Sequence, residues 1–555
     1  MDNGLMNMEE EKQKGGFRAC IFIFVLQGLE NMGSIANMAV LVLYFNYAMH
    51  FDLATSANTL TNFMGSVFLF SILGAFISDA YLNRFYTTLL FGALEVVGLV
   101  LVTIQARFKD LQPEMCGKSS CIKGGQALMF YGSLCLLAIG SGTARGALPP
   151  LGGDQFVQDE RQRGALSTYY NWLFLSSTSG GVIGVTFVVW ISMSKAWYWG
   201  FFLVTVGTFV GYITLAFGKP FFRFQPLGNS PPIKIAQVIV VAFRNRSLSL
   251  PERTDDLYEI DETVRDPSEE RIPHSKQFSS LDKAAIPRED STAPDAWKVC
   301  TVTQVEEVKV LIRMLPIVAS TILLNTGMAQ LQTFSVQQGM FMDPHIGSKE
   351  IPTPSLSVIP LLFMTILMPL YELFFVPFAR KITGHPSGIT QLQRVGVGLV
   401  LSIISMTVAG GIEVYRKDQA NKIPSHKISV FWLCIQFFIF GIADMFTIVG
   451  LMELYYKEAP SGMRSLAASF SSLTFALGYF LSSIFVSTIN AVTKRITPSK
   501  QGWLHGNNIN TNNLHLFYWF VAAVSAINFV IYLFVASWYK YKEAGVTESE
   551  TKTES

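Results

Sequence analysis

The chain has 555 residues, of which 50% are apolar, 13% aromatic and only 15% charged, with a net charge of +2. A soluble chain carries about 25% charged residues, so this deficit, with 44 Phe and a mean hydropathy of +0.36, points to a polytopic membrane protein partnered by the lipid bilayer. The balanced charge without a Lys/Arg tract offers no footprint for nucleic acid. Six scattered cysteines form neither a disulfide scaffold nor a Cys/His metal module.

Apolar stretches long enough to cross a hydrocarbon core, about 20 residues each, are predicted at 19–47, 60–82, 86–105, 126–146, 167–193, 197–217, 308–338, 355–379, 391–412, 428–456, 465–492 and 515–538. The first outruns the apolar core of a cleaved leader, about 7–15 residues, and is expected to stay in the mature protein. Between spans six and seven lies a polar insertion, 219–303, rich in Pro, Ser, Arg and Asp/Glu. It divides the chain into an N-terminus (1–18), a six-helix half (19–218), the insertion, a second six-helix half (304–538) and a tail (539–555). Helices are required because every backbone polar group must be satisfied inside lipid. The predicted fold is therefore an all-α membrane protein with the layout of the major facilitator superfamily, whose halves enclose a midplane site. Within the insertion, Ile233, Ile235, Val238, Ile239 and Ala242 fall mostly on one face, which suits a solvated linker with one surface helix.

An even number of spans puts both termini on one side. Arg84, Arg161, Arg163, Arg380, Lys381, Lys540 and Lys542 place that side in the cytoplasm, whereas Arg416, Lys417, Lys422 and Lys427 would lie outside, against the rule. On this orientation Cys116 and Cys121 occupy an oxidising compartment, where a disulfide and two free thiols are both open readings. The sole N-x-S/T sequon, Asn245-Arg246-Ser247, falls on the cytoplasmic side and is expected to be unglycosylated.

Several phrases occur in an order that resembles the plant nitrate/peptide transporter family, the plant branch of the proton-dependent oligopeptide transporters. They include Gly153-Asp154-Gln155-Phe156, Asn171-Trp172, Trp199-Gly200-Phe201, Gln304-Val305-Glu306-Glu307-Val308-Lys309 and Leu315-Pro316-Ile317. Further matches are Thr333 to Gly339, Leu392-Gln393-Arg394, Glu458-Ala459-Pro460 and Met463-Arg464-Ser465. Glu30-Asn31-Met32, Ser335-Val336-Gln337-Gln338 and Ile428 to Trp432 resemble most the branch containing abscisic acid and gibberellin importers and low-affinity nitrate transporters. The resemblance implies that Asp79 and Arg84 brace a cytoplasmic gate, where Glu453 also fits.

Ionisable groups at membrane depth are costly and mark pathways or coupling sites. The leading ones are Glu30, Arg145 and Asp444, followed by Glu95, Glu372 and Glu453. The family's first-span motif is Glu-x-x-Glu-Arg facing a Lys on span four; here the positions read Gln27, Glu30 and Asn31, with Arg145 in place of the Lys. Residues 27, 30 and 31 share a helical face, so geometry is kept while one carboxylate and one cation are lost. Glu30 and Arg145 then either couple a proton to solute movement or only brace two helices. Asp444 aligns with a family glutamate on span ten that reaches the cavity.

By family position the substrate cavity is expected to take Gln27, Asn31, Tyr44, Tyr170, Asn171, Trp172, Met328, Gln330, Gln332 and Phe446. Helix packing is the alternative for each aromatic. Nitrate-transporting relatives place a histidine where this chain has Met328; a thioether cannot hydrogen-bond an anion with charge assistance, whereas a flexible Met suits an irregular apolar ligand. The resemblance thus implies an alternating-access carrier that imports a small organic anion, abscisic acid or gibberellin first and nitrate second. A proton is the expected co-transported ion on the coupling reading of Glu30 and Arg145, no other cofactor is expected, the plasma membrane is the expected location, and oligomeric state stays open. A non-transporting nitrate or hormone sensor signalling through 219–303 is the reading from another class. An enzyme is not expected, since no nucleophile/base pair or metal cluster lies at membrane depth.

Overall fold

The computed structural model describes residues 15–539 except 157–162, 225–230, 252, 254–256, 260–271, 288–296, 347–348, 358, 360–361, 364–365, 368–369, 384–388, 423–426, 459–463, 498–499 and 507. Its first half comprises α1 (Gly16–Tyr47), α2 (Leu53–Ala80), α3 (Arg84–Arg107), α4 (Gly124–Gly153), α5 (Arg163–Ile183, continued through a π turn at Gly184–Val188 to Ser194) and α6 (Trp197–Phe217). The central segment contributes α7 (Pro231–Arg244). The second half comprises α8 (Val302–Ser320), α9 (Ile322–Gly339), α10 (Val376–Thr383), α11 (Gln391–Lys422), α12 (Leu433–Glu458), α13 (Arg464–Ile496) and α14 (Leu514–Trp538). A two-residue antiparallel pair, His345–Ile346 with Lys349–Glu350, sits between α9 and α10.

Ten helices among the described residues are long and apolar enough to cross a membrane. Span seven is the broken rod α8–α9, and span eight is described in pieces that include Tyr371–Phe375 and α10, which completes the twelve-helix fold. The break falls at Thr321, five residues beyond Pro316, which lies inside α8. Polar groups freed there find partners inside the protein, as lipid demands: Asn528 Nδ2 donates to the Ser320 carbonyl at 2.7 Å and the Thr321 hydroxyl donates to the Val318 carbonyl at 2.8 Å.

Local chemistry sets several helix starts. The Asp52 carboxylate accepts the Thr55 N–H at 2.7 Å, Asn83 accepts that of Phe85, and Thr301 with Gln304 forms a reciprocal capping box. Small residues bring helices together: a β-carbon on Gly180 of α5 would stand 1.9 Å from the Gly28 carbonyl oxygen of α1, and one on Gly146 of α4 would stand 2.0 Å from that of Ser71 on α2. The outer faces carry Leu128, Phe217, Phe374, Ile496 and Phe534 at 68–78% exposure, a surface that suits lipid and not water.

The two halves meet through α2 with α13 and through α9 with α1 and α2. Gln337 Nε2 donates to the Leu53 carbonyl at 3.3 Å, Asn58 Nδ2 to Ser487 Oγ at 2.9 Å, and Ser355 Oγ to the Val185 carbonyl at 2.9 Å. These three bonds lie in the parts of the helices toward the side opposite the chain termini.

In the central segment, α7 buries Val238 and Val241 and leaves Ile239, Val240 and Phe243 exposed. It packs on the Ser279–Ala285 turn and on α8. Lys309, fully buried, holds that arrangement to α8: its ammonium contacts Asp282 at 2.6 Å, Glu306 at 2.8 Å and the Ser275 carbonyl at 2.8 Å. Asn245, the sequon residue, is 1% exposed and donates to the Lys283 carbonyl at 2.8 Å. Cys116 and Cys121 are joined by a disulfide, with Cα atoms 5.7 Å apart.

Three of the four charges that break the positive-inside pattern have local partners. Arg416, 2% exposed, is clamped to Glu413 at 2.7 Å and to Asn510 at 2.6 Å; Lys417 donates to the Asn512 carbonyl; Lys422 pairs with Asp418. A cation bound to a carboxylate one turn away adds no free positive charge.

Candidate functional site

A cavity of about 250 Å³ lies between the halves. Asn31, Ser34, Met38, Met64, Phe68 and Arg145 line it from the first half; Met328, Gln332, Phe437, Phe440, Asp444, Phe475 and Tyr479 do so from the second. Among the described lining residues, Arg145 is the cation and Asp444 the carboxylate. The remaining wall is mostly apolar and aromatic, with a few placed polar groups, as in small-molecule sites generally.

Arg145, in the C-terminal third of α4, donates from Nη2 to Ser34 Oγ at 2.7 Å. Its Nε stands 4.0 Å from Glu30 Oε1, at the outer limit of an ion pair, and its guanidinium lies 5.7 Å from the Phe68 ring centroid. Glu30 is 3% exposed while the Arg145 side chain is 27% exposed, so the acid is sealed behind a cation that reaches the cavity. Such a guanidinium keeps its charge at any physiological pH and can take a carboxylate bidentately.

Across the cavity, Asp444 of α12 is 7% exposed and its Oδ1 has no hydrogen-bond partner among the described residues. Tyr479 of α13 donates its hydroxyl to Gln332 Oε1 and stacks on Phe68, with ring centroids 5.9 Å apart. The aromatic wall therefore spans both halves.

Residues expected from sequence divide into three groups. Asn31, Arg145, Met328, Gln332 and Asp444 line the cavity, and Glu30 stands behind Arg145. Gln27 lies beside the lining and donates to Ser177 Oγ at 2.9 Å, the hydroxyl that Asn31 also reaches. The remaining expected residues are not among this lining. Tyr44 is fully buried among Phe45, Trp197 and Phe201, and Gln330 turns away to donate to Ser482 Oγ at 2.7 Å. Phe446 packs edge-on against Tyr371 and Phe375, while Tyr170 and Trp172, both about half exposed, are absent from the lining. The side chains of Asn171 and Glu372 lie outside the described ones.

Ser34, Phe68, Phe437, Phe440, Phe475 and Tyr479 are lining residues that the sequence reading missed. Ser34 had a usable signal, because it stands one turn after Glu30 on the same face.

Toward the ends of the helices nearest the chain termini, Arg84 binds Asp79 at 2.8 Å and Asp154 at 2.6 Å, joining α2, α3 and the end of α4. Burial pushes the Asp154 carboxyl up to about 6 although Arg84 beside it pulls the other way. In the other half Glu453 accepts from Arg394 at 2.8 Å and from Gln391 at 3.0 Å.

The sequence pattern of the POT family matches residues 85–504. In Arabidopsis thaliana, Protein NRT1/PTR FAMILY 4.3 is 40% identical over 534 residues, covering 94% of this chain and 90% of that one. NRT1/PTR FAMILY 4.6 is 38% identical, covering 96% and 95%, and NRT1/PTR FAMILY 8.1 is 36% identical, covering 97% and 96%. Among solved structures, an auto-inhibited POT family peptide transporter superposes with a TM-score of 0.72 at 17% identity, covering 95% of this chain and 98% of that one. The POT family transporter PepTSo gives 0.71 at 16% identity, covering 94% and 98%. The chain belongs to the POT family, among its NRT1/PTR members, and is a multi-pass membrane transporter and not an enzyme.

Proposed function

We propose that this transporter moves a small organic anion through the central cavity by alternating access, with a proton as the driving ion. Abscisic acid or gibberellin import across the plasma membrane is the leading assignment. The observation that carries the reading is Arg145: a cation open to an apolar cavity, held by one neutral hydrogen bond and one 4.0 Å contact with Glu30.

An incoming carboxylate replaces that long contact with a short, charge-assisted one. The apolar body of the ligand then rests on Met38, Met64, Met328, Phe437 and Phe440. Asp444 faces the same space: as a carboxylate it repels an anion, and as a carboxylic acid it donates to one. Solute and proton therefore favour each other's binding. With the halves joined at the ends opposite the termini, the cavity delivers to the terminal side, which the Lys/Arg distribution places in the cytoplasm.

Nitrate is the second reading, because Arg145 alone supplies the charge it needs. A water's share of liquid volume is about 30 Å³, so a cavity of about 250 Å³ exceeds what a four-atom oxyanion fills. A sensor that binds without accumulation would use the same contacts.

Uptake of labelled abscisic acid, gibberellin and nitrate at external pH of about 5.5 and about 7.5 separates these readings, with Glu30→Gln and Arg145→Ala beside wild type. The anion reading expects saturable uptake of a hormone, faster at the lower pH and lost in Arg145→Ala. Accumulation of nitrate alone reverses the substrate assignment, and binding without accumulation selects the sensor.

A further inference from the structure

Glu95 of α3 plays no part in the cavity lining, yet it is a carboxyl buried to 6% exposure within a membrane-spanning helix. Among the described residues no cation stands within 4.0 Å of it, and its hydrogen-bond partner is the Tyr212 hydroxyl of α6 at 2.7 Å. A carboxyl kept at this depth without a close counter-ion is costly and calls for a use. The charged or titratable groups facing it are Tyr212 from α6, Glu30 from α1 and Arg145 from α4. From α2 the neighbouring side chains are Phe63, Met64 and Val67, none of which titrates.

Beside Glu95 is a second, small cavity of about 20 Å³, lined on its polar side by Ser34, Asn37, Ser141 and Thr208. A space above about 10–15 Å³ with several polar partners holds one water. Ser34 borders this small cavity and the central one, and its hydroxyl is the atom that Arg145 binds. The small cavity thus has room and polar partners for one water between Glu95 and Ser34, and Ser34 in turn touches Arg145 at the edge of the substrate space.

We propose that Glu95 is a second proton-holding carboxyl of the carrier, loaded and emptied through Ser34 and the water of the small cavity. The step is a proton transfer alone: an O–H bond of the water breaks, one forms at the Glu95 carboxylate, and the water regains its proton from the central cavity. One guanidinium balances one carboxylate. With Arg145 facing Glu30, Glu95 holds its proton; when a solute carboxylate takes Arg145, the Glu30–Glu95 pair needs a further proton, which ties proton uptake to solute binding. This assignment rests on the proton-coupled reading above for its purpose, but its test does not.

Infrared difference spectra of the full chain in liposomes, recorded between about pH 5.5 and about pH 8.5 without added solute, report each buried carboxyl as it gains or loses its proton. The expected wild-type spectrum contains a protonated-carboxyl band that Glu95→Gln abolishes and Tyr212→Phe shifts, because the phenol hydrogen bond is lost. Arg145→Ala should move the titration midpoint of that band upward. A band unchanged in Glu95→Gln and Tyr212→Phe overturns the assignment, and a midpoint indifferent to Arg145→Ala overturns the connection to the central cavity. Should Glu95→Gln fail to assemble, Tyr212→Phe still decides. Failure of uptake in the solute experiments with these spectra intact would sink the anion reading and leave Glu95 as a proton site.

Discussion

Phe68 of α2 stacks on Phe475 of α13 with ring centroids 4.9 Å apart and planes 19° from parallel. The contact crosses from one half to the other, and the same Phe68 ring lies under the Arg145 guanidinium. One side chain therefore closes the cavity wall and helps aim its cation.

Phe68→Ala removes both interactions. Stacked pairs contribute about 0.5–1.5 kcal/mol and an exposed cation–π contact about 0.5–1 kcal/mol, so half-saturation for the transported solute should rise about tenfold. Phe68→Leu, which keeps apolar contact without the ring, should fall between. Concentration-dependent uptake checks this, and equal values for all three proteins would refute the aiming role.

Asp444→Asn keeps the size of the side chain and its ability to donate while removing its proton equilibrium. If Asp444 serves as the acid facing the solute, the substituted carrier should take up anion at external pH of about 7.5 nearly as fast as wild type does at about 5.5. A pH dependence identical to wild type would remove Asp444 from the coupling scheme.

Asp154, just past α4, has its carboxyl raised by burial from an ordinary value of 3.8 to about 6. Between those values the folded chain holds a proton that the unfolded chain has released. This contribution stabilises the fold at the acid end and is lost as pH rises through about 6. Thermal unfolding midpoints measured from about pH 4 to about pH 7 should therefore slope less in Asp154→Asn than in wild type. An unaltered slope would mean that the Asp154 proton is held equally in both states.

Arg416 and Glu413, exposed to only 2% and 0%, form a buried pair on α11, with Gln338 of α9 donating to Glu413 at 2.7 Å. Arg416→Met leaves an uncompensated buried carboxylate and should cost about 3–5 kcal/mol of stability, whereas joint replacement with Glu413→Gln should recover most of it. Thermal unfolding of the two variants in detergent distinguishes a structural pair from a dispensable one: equal losses would show that the lone acid is tolerated.

Much of the outline was readable from composition. The stretch 197–217 coincides with α6 because Ala196 and Gly218 bound an unbroken apolar run. Helix α11 instead continues ten residues past the expected 412, to Lys422, since Glu413 and Arg416 neutralise each other inside the protein. The expected span at 308–338 is two helices, because the ladder breaks at Thr321 and Asn528, more than 200 positions away in sequence, donates to the freed Ser320 carbonyl. No local signal carries that partnership.

The candidate site shows the same division at finer scale. Gln330 and Gln332 stand two positions apart on α9, yet one binds Ser482 within the second half and the other faces the cavity beside Tyr479. Phe446 and Asp444 differ in the same way on α12.

The sequence alone determined the membrane class, the helices, the kinship and the presence of Glu30, Arg145 and Asp444 at membrane depth, because transfer from water to hydrocarbon depends on composition along each segment. Only the tertiary structure decided which residues share the cavity with Arg145 and which acid, Glu95, is sealed beside it. Lipid and protein interior are nearly equal solvents for Leu or Phe, so apolar periodicity does not distinguish the face of a helix that meets lipid from the face that packs or lines a cavity. That choice is made by close approach, as where Gly180 meets Gly28, and by the hydrogen bonds that the assembled helices offer to each buried polar group.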